Sequence, residues 1–572
     1  MNSIELFFLT LLALLPFFIL PYFILGRGFQ NKDIAFLTSL LMAVIAVVVW
    51  RVGPIQVIAC YVKGLWIAYE LCLIALCGFL YQQPLRQSRS SSIIRGFFSS
   101  IHPDKRVQAI LVGCFLGGFT EYILGFGATG GLGTIILAGL GFPPTCAIVV
   151  AMMGSVPGAA FNSAGSPLLI GVTQGMQDPA FTDLLAAKGL DVASYVRLVT
   201  AEVGIIHGVV GVFMPLFIVM MMTRFYGPKR SFLDGLDIAP FAIFAGLAFA
   251  IPYALTAIFF GPEFPSLVGS VVGFAITAIV AKINSFVPFH KWEFEPEAKW
   301  PHQWAPTKPF KPEALAKMPA WLAWMPYFGL GFFILITRVP QLGIGPFLNS
   351  FSFEWHNIFG TSVSVVSHSF YMPCTVLVVI MVIANTIAFK LNSAQIRAFS
   401  LPALIPTASM VDKAPFATVT AFIFMYSSVN HSQMPGMAKT IADGLCALPG
   451  SNYWSPFFVT AMAALGTTAG TNNTFSNILL SQLAYNFEHN LNAPVGLMVA
   501  LQVAGASVGT LVAMRYLTST VTVCNMLTWE GPIMHKNVIP AILCVLLLGV
   551  AGVFIYHYVD LDAWLLPYVI SG

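Results

Sequence analysis

The feature that most constrains this chain is a series of apolar segments, each long enough to cross a lipid bilayer. A helix needs about 20 apolar residues to span the hydrocarbon core, and runs of that order recur from 4–25 through to 540–556. Of the 572 residues, 58% are hydrophobic and only 9% are charged, against roughly 25% charged residues in soluble domains. The sequence therefore predicts an all-α polytopic membrane protein, with about 12–14 transmembrane helices.

The first apolar run is predicted to be a retained membrane helix and not a cleaved signal peptide. It has no basic region ahead of it, contains Glu5 and lacks a small-residue cleavage pattern after it.

Lysine and arginine concentrate in a few polar segments, which the positive-inside rule places in the cytoplasm. These segments are 27–32, 86–106, 224–230, 282–317 and 390–397. Two segments on the same side of the membrane must be joined by an even number of crossings. Two apolar runs separate successive segments at the places where this can be checked. The pattern predicts a multi-pass membrane protein, with the N-terminus outside the cytoplasm and 341–373 as an external loop.

A Pro-rich, charged segment without hydrophobic periodicity, 284–319, is interpreted as a cytoplasmic linker between a first half, 1–283, and a second half, 320–572. Each half contains apolar segments cut by glycine and small polar residues. The four predicted broken segments are 117–131, 154–167, 466–477 and 505–522. Broken helices in both halves are typical of inverted-repeat secondary transporters, whose site lies where the breaks meet. The alternative is that these glycines only permit close helix packing.

Two charged residues lie inside the predicted breaks and are candidates for function, because an intramembrane charge is costly. Glu121 has no lysine or arginine within a dozen residues on either side and is the candidate proton-coupling group. The alternative is a structural carboxyl that accepts backbone N–H groups. Arg515 is the candidate counter-ion for an anionic substrate, and the alternative is an arginine that snorkels to the interface.

Small polar residues and glycines in the breaks complete the candidate substrate site. Half-helix N-termini present free N–H groups to an anion, and asparagine both donates to and accepts from a hydroxyl. This chemistry fits a small hydroxy acid and also a small dicarboxylate. The assigned residues are Gly125, Gly127, Asn162, Ser163, Ser166, Thr471, Asn472, Asn473 and Thr474.

Several other classes of function are not supported by the sequence. The nine cysteines have no metal-binding spacing. Gly-Phe-Gly at 125–127 follows no strand and precedes no Lys-Ser/Thr, so it is not a nucleotide loop. The net charge of +4 is too small to indicate nucleic acid.

Secondary transport without a cofactor is expected, and the oligomeric state stays open, with a homodimer as one alternative.

The order and spacing of several motifs resemble the bacterial L-lactate permease family over most of the chain. The motifs are SSIHPDKRVQAILVGCFLGGFTE (99–121), GFGA (125–128), LGFPP (140–144), GPEFP (261–265), TRVP (337–340), SPF (455–457) and the break at 466–477. The resemblance implies proton-coupled uptake of lactate or glycolate. It also implies a fold similar to the ion-transporter superfamily, in which a domain with broken helices moves against a scaffold.

The chain departs from the family pattern in two breaks. The family's second break resembles TGSDTSSN, whereas this chain has AGTNNTFSN, with Asn472 or Asn473 near the place of the aspartate. The family's final break resembles GKMISPQS, whereas this chain has TLVAMRYLTS, in which Arg515 is the cation. A compensated swap of one ion pair and a changed substrate both explain these differences.

Proton-coupled symport of small 2-hydroxy monocarboxylates is the leading hypothesis, and three alternatives are kept. Sodium coupling would use unwound carbonyls with Asn472, Asn473 and Thr474. A different specificity, for a dicarboxylate or a sulfonate, would use the same breaks. A membrane-embedded enzyme is a remote third alternative, because its polar cluster at 290–302 lies in a linker of ordinary solvated composition.

Overall fold

In the computed structural model the described residues are 2–26, 31–125, 130–177, 181–182, 185–186, 189–305, 316–372, 376–397, 399, 414–432, 434–470, 472–524, 526 and 529–570. Helices dominate them, together with one two-stranded antiparallel sheet.

The chain forms the following helices before residue 284. They are α1 (Ser3–Gly26), α2 (Asn31–Val48), α3 (Pro54–Ser88), α4 (Ser90–Ile101), α5 (Lys105–Leu124, with a π-helical stretch at Leu111–Leu116), α6 (Gly130–Gly139), α7 (Pro144–Ala159), α8 (Pro167–Val172 continued by Thr173–Gly175), α9 (Val192–Tyr226), α10 (Leu233–Leu236), α11 (Ala239–Phe260) and α12 (Pro265–Lys282).

The remainder of the chain adds further helices and the small sheet. They are α13 (Ala320–Arg338), α14 (Ile344–Asn349), β1 (Phe353–Trp355), β2 (Val365–Ser367), α15 (Val376–Ala388), α16 (Ser393–Arg397), α17 (Ala414–Met425), α18 (Met437–Cys446), α19 (Ser451–Gly470), α20 (Asn473–Leu491), α21 (Leu497–Gly509), α22 (Met514–Val523), α23 (Glu530–Tyr558) and α24 (Leu561–Ile570).

Many of these helices have the length and composition of membrane spans. Within the described part of the chain, nine are long and apolar enough to cross a bilayer, and four shorter apolar helices accompany them. Their outward faces carry large apolar side chains, for example Phe7, Leu247 and Phe554. The predicted all-α polytopic membrane fold is confirmed.

Helices are interrupted within each of the four segments that were predicted to be broken. In the first part of the chain, α5 ends at Leu124, and the backbone between α7 and α8 takes left-handed angles at Ser163, Ala164 and Gly165. In the last part, α19 ends at Gly470 before α20 begins, and 510–513 separates α21 from α22. These interruptions leave helix ends inside the protein, where the free backbone groups need polar partners.

The segment predicted to be a linker is fixed to the beginning of α5. Asp104 and Arg106 form a buried ion pair with 2.9 Å between Oδ2 and Nη2. The Trp292 N–H donates to Asp104 Oδ2 at 3.0 Å, and Arg106 Nη2 donates to the His290 carbonyl at 3.1 Å. This ion pair therefore holds 290–292 against one end of a broken helix.

The small sheet lies in the segment predicted to be an external loop. Phe353 of β1 pairs with Ser367 of β2, and the Phe353 ring stacks on Trp66 of α3 with 4.2 Å between the ring centroids. Ser367 also donates a hydrogen bond to the buried Glu70 carboxyl of α3. The hairpin is thus packed onto α3, and Glu70 has a polar partner there.

Candidate functional site

The four helix interruptions meet around the side chain of Asn162. Its Nδ2 atom lies 3.3 Å from Glu121 Oε1, 3.3 Å from Asn473 Oδ1 and 3.4 Å from the Tyr516 hydroxyl. These partners belong to α5, α20 and α22, whereas Asn162 precedes α8. One amide group therefore connects the predicted breaks of both parts of the chain.

Glu121 is the acidic group of this cluster and is fully buried. Its Oε1 atom accepts from the Tyr516 hydroxyl at 3.2 Å as well as from Asn162. The Asn162 nitrogen carries two hydrogens but faces three acceptors, so it can exchange one partner for another. Such a network can adjust when the carboxyl gains or loses a proton.

The first two breaks touch each other at Gly125. Its φ of 57° and ψ of −167° belong to a region that only glycine adopts readily. A Cβ atom at this position would lie 2.0 Å from Ser163 Oγ. Ser163 Oγ donates to the Leu124 carbonyl at 3.3 Å, and Ser166 Oγ donates to the Ser163 carbonyl at 2.7 Å. Both serine hydroxyls thus satisfy backbone carbonyls of the broken segments.

Asn472 and Asn473 organise the beginning of α20. Asn472 Oδ1 accepts from the Phe475 N–H at 2.7 Å, which makes Asn472 the N-cap. Asn473 Oδ1 accepts from the Thr474 N–H at 3.1 Å, and Asn473 Nδ2 donates to the Ala159 carbonyl at 2.6 Å. Asn473 therefore joins the end of α7 to the beginning of α20.

Three buried polar atoms of the cluster have no hydrogen-bond partner among the described residues. They are Asn162 Oδ1, Asn472 Nδ2 and Thr474 Oγ1. Buried polar groups are normally paired, and each exception needs an explanation such as a ligand or an ordered water. A small molecule with a carboxylate and a hydroxyl offers both acceptors and donors to such atoms.

Replacing Asn472 with alanine is expected to lower the stability of the protein by about 1 kcal/mol, because the N-cap hydrogen bond is lost. Asn472→Ser is the matched control, since serine caps helices about as well as asparagine does and adds no charge to this buried position. The midpoint of thermal unfolding in detergent measures the effect. Equal unfolding midpoints for the wild type and Asn472→Ala would show that the cap does not contribute.

Arg515 belongs to α22 and is buried, with 4% of its surface exposed. Its charge interacts with the Glu121 carboxyl and with Cys72 of α3. The guanidinium is therefore enclosed by protein next to the cluster, and α3 is one of its neighbours. This burial does not match the alternative of an arginine that reaches the membrane interface.

Tyr516, Asn477 and Gln502 are polar members of this region that sequence reasoning missed. Asn477 Nδ2 donates to the Pro167 carbonyl at 2.8 Å, and Gln502 Nε2 donates to Asn477 Oδ1 at 2.9 Å. A Cβ atom at Gly171 would lie 2.8 Å from Asn477 Cβ, so α8 and α20 are in close contact. Two of these residues could have been found from the sequence, because Tyr516 is adjacent to Arg515 and Gln502 is a polar residue within an apolar helix.

Two of the family-like motifs support the break before α8. A Cβ atom at Gly165 would lie 2.7 Å from the Pro262 carbonyl of GPEFP, and Ser266 Oγ donates to the Gly158 carbonyl at 2.9 Å. Burial raises the pKa of Glu263, an effect that the nearby charge of Arg338 in TRVP opposes. The two motifs therefore lie close together beside the cluster.

Gly127 and Thr471, which the sequence also assigns to the site, lie outside the described residues.

Comparison with known protein families identifies the family of the chain. Residues 9–559 match the family model for L-lactate permease. The chain belongs to the L-lactate permease family.

Relatives in this family are similar over different lengths. The putative L-lactate permease of Haemophilus influenzae is 24% identical over 489 residues, which cover 82% of this chain and 83% of the relative. The L-lactate permease of Bacillus subtilis is 25% identical over 337 residues, 58% of this chain and 55% of the relative. The glycolate permease GlcA of Escherichia coli is 28% identical over 284 residues, 48% of this chain and 45% of the relative.

As a member of the L-lactate permease family, the chain is a membrane transporter and not an enzyme. The resemblance found in its motifs is confirmed by the family match over nearly the whole chain.

Proposed function

We propose that this permease is a proton-coupled symporter of small 2-hydroxy monocarboxylates such as L-lactate or glycolate, acting in the bacterial inner membrane. The observation that carries the proposal is the position of Glu121, which is fully buried where the four interruptions meet and has the neutral partners Asn162 and Tyr516. The names of the relatives, L-lactate permease and glycolate permease, support the class of substrate.

Charge balance provides the physical reason for coupling a proton to the anion. When the site is empty, an ionised Glu121 offsets the charge of Arg515, with which it interacts. When the site is loaded, the substrate anion offsets Arg515 and the proton neutralises Glu121. Both states are neutral, so neither exposes a net charge to apolar surroundings as it crosses. A carrier with a protonated Glu121 and no substrate has a net positive charge. A carrier with bound substrate and an ionised Glu121 has a net negative charge. Both therefore cross slowly.

The groups proposed to bind the substrate lie at the beginning of α20. A helix N-terminus carries a partial positive charge that favours a carboxylate. The Asn472 amide and Thr474 hydroxyl provide donors without a partner among the described residues, and Asn162 Oδ1 provides an acceptor for the 2-hydroxyl group. Donor and acceptor positions of this kind suit a hydroxy acid better than an unsubstituted one.

The fold expected for the family implies how the site moves: the domain that contains the broken helices moves relative to a scaffold domain. Helices α5–α8 and α19–α22 would then form the moving part, related as two inverted repeats, and α3 would belong to the scaffold. The electrostatic interaction between Arg515 and Cys72 then crosses the boundary between the two parts.

Sodium coupling is the alternative, but the two asparagines among its proposed ligands have other roles in the structure. Asn472 Oδ1 caps α20, and Asn473 Oδ1 accepts from Asn162 and from the Thr474 N–H. Two of the three side-chain oxygens proposed for sodium are thus engaged in hydrogen bonds, and the third, Thr474 Oγ1, has no partner among the described residues. The engagement of both asparagine oxygens favours the proton as the coupling ion.

Uptake of labelled L-lactate or glycolate into proteoliposomes is expected to be concentrative under an inward proton gradient and to collapse when a protonophore is added. Replacing sodium with choline is expected to change nothing. Accumulation that follows sodium and ignores the protonophore would overturn proton coupling. Inhibition by malonate or a hydroxy-sulfonate, without any uptake of lactate or glycolate, would show that the site has another substrate.

A further inference from the structure

A second group of carboxyls lies at the far end of α20. It comprises Glu202 of α9 and Glu488 of α20, which are buried, and Asp562 of α24, which is half-buried. The charges of Glu488 and Asp562 both act on Glu202. Glu488 is separated from Asn473 by about 22 Å along α20 at 1.5 Å per residue. The group is therefore distinct from the cluster around Glu121.

The three carboxyls have different partners. Asp562 accepts from the Val495 N–H, at 2.9 Å through Oδ1 and 3.2 Å through Oδ2. Both oxygens of Glu488 lie 3.4 Å from the Tyr195 hydroxyl. Glu202 is fully buried, and neither of its oxygens has a hydrogen-bond partner among the residues that the structure describes. Glu202 is thus the carboxyl whose surroundings do least to stabilise a negative charge.

The chain provides a specific space for the Glu202 side chain at Gly496. A Cβ atom at Gly496 would lie 2.6 Å from Glu202 Oε2, and the φ of this glycine is 97°. The neighbouring Val495 N–H is already used by Asp562. The carboxyl of Glu202 therefore rests against the turn before α21 without receiving a backbone hydrogen bond that would favour its charged form.

Titratable groups surround Glu202 on several elements, and no described lysine or arginine forms an ion pair with it. The groups whose charges interact with Glu202 are Tyr195 of α9, Glu488 of α20 and Asp562 of α24. Tyr485 of α20 packs against Tyr195 with 6.0 Å between the ring centroids. Among the described residues, no three His, Cys, Asp or Glu side chains have an arrangement that could hold a metal ion. The cation best suited to this position is a proton.

We propose that Glu202 is a buried proton-binding site, separate from Glu121, and holds its proton at neutral pH. A buried carboxyl without a counter-ion or donor neutralises rather than remaining charged, and two neighbouring carboxylates oppose its ionisation further. Loss of the proton would place three negative charges between α9, α20 and α24. Because α20 begins with the Asn472 cap, this site controls the charge at the opposite end of a helix that forms the candidate substrate site.

Infrared spectroscopy of the purified full-length protein tests this proposal directly. At neutral pH, the absorption of protonated carboxyl groups is expected to fall by the contribution of one carboxyl in Glu202→Gln. Glu354→Gln is the matched control, because Glu354 is exposed on the hairpin and accepts from His356 at 3.0 Å. The control is expected to leave the protonated-carboxyl band unchanged.

Unfolding of the same variant gives an independent readout. Glutamine resembles a protonated glutamate in shape and charge, so Glu202→Gln is expected to unfold at the same temperature as the wild type or higher. An unchanged infrared band would overturn the proposal, and so would a variant that is less stable or does not fold. Neither result depends on transport, so the proposed roles of Glu121 and lactate are tested separately.

Discussion

Replacing Glu121 with glutamine is expected to abolish net uptake driven by a proton gradient while leaving exchange of internal for external substrate intact. Glutamine imitates the protonated carboxyl, so the loaded site keeps an anion opposite Arg515 and stays neutral. The empty site, however, retains the uncompensated charge of Arg515, which is buried beside it. Only the return of the empty carrier is therefore impaired.

The size of this effect follows from the cost of an unpaired charge. A charged side chain in a membrane-spanning helix costs about 2.5–3.5 kcal/mol on the insertion scale, and each 1.36 kcal/mol changes a rate tenfold. Net uptake by Glu121→Gln is therefore expected to slow by about 100-fold. Exchange is expected to stay within a few-fold of the wild-type rate and to lose its dependence on pH.

Counterflow and net uptake are measured on the same proteoliposomes, with Glu354→Gln as the control because its carboxyl lies on the exposed hairpin. Uphill accumulation by Glu121→Gln in response to a proton gradient would remove Glu121 from the coupling mechanism. Equal loss of exchange and net uptake would instead indicate that Glu121 is needed for substrate binding or for the fold.

The positions of the helix interruptions could be predicted from the sequence, because their causes are local. Glycine and small polar residues weaken helices wherever they occur, and Gly125 and Gly165 have the positive φ angles that such residues permit. The two charges within the breaks were equally visible, since Glu121 and Arg515 stand out in apolar segments. The sequence alone therefore predicted where these helices are interrupted.

The partners of each side chain could not be predicted, because they depend on distant segments. Asn162 and Tyr516 are separated by more than half of the chain and meet through the packing of α5, α20 and α22. Asn472 was assigned to substrate binding, whereas its Oδ1 caps α20. The serine hydroxyls of Ser163 and Ser166 likewise donate to backbone carbonyls, as short polar side chains often do near breaks.

Replacing Arg515 with glutamine is expected to impair both exchange and net uptake, unlike Glu121→Gln. The substrate anion would lose its counter-charge in a buried site, and breaking a buried ion pair costs about 3 kcal/mol or more. The concentration for half-saturation is therefore expected to rise by about 100-fold. Arg515→Lys keeps the charge but loses the planar fork that binds carboxylates, so a rise of roughly tenfold is expected.

The double variant Glu121→Gln/Arg515→Gln tests whether the two side chains act as a pair. Arg515→Gln alone leaves Glu121 buried without its neighbouring cation, whereas the double variant removes both charges. The loss of stability in the double variant is therefore expected to be smaller than the sum of the two single losses, by about 1 kcal/mol or more, as is found for interacting pairs. Additive effects would mean that Arg515 offsets the substrate but not Glu121. The charge balance of the empty carrier would then require another cation, and the exchange-only behaviour of Glu121→Gln would lose its explanation.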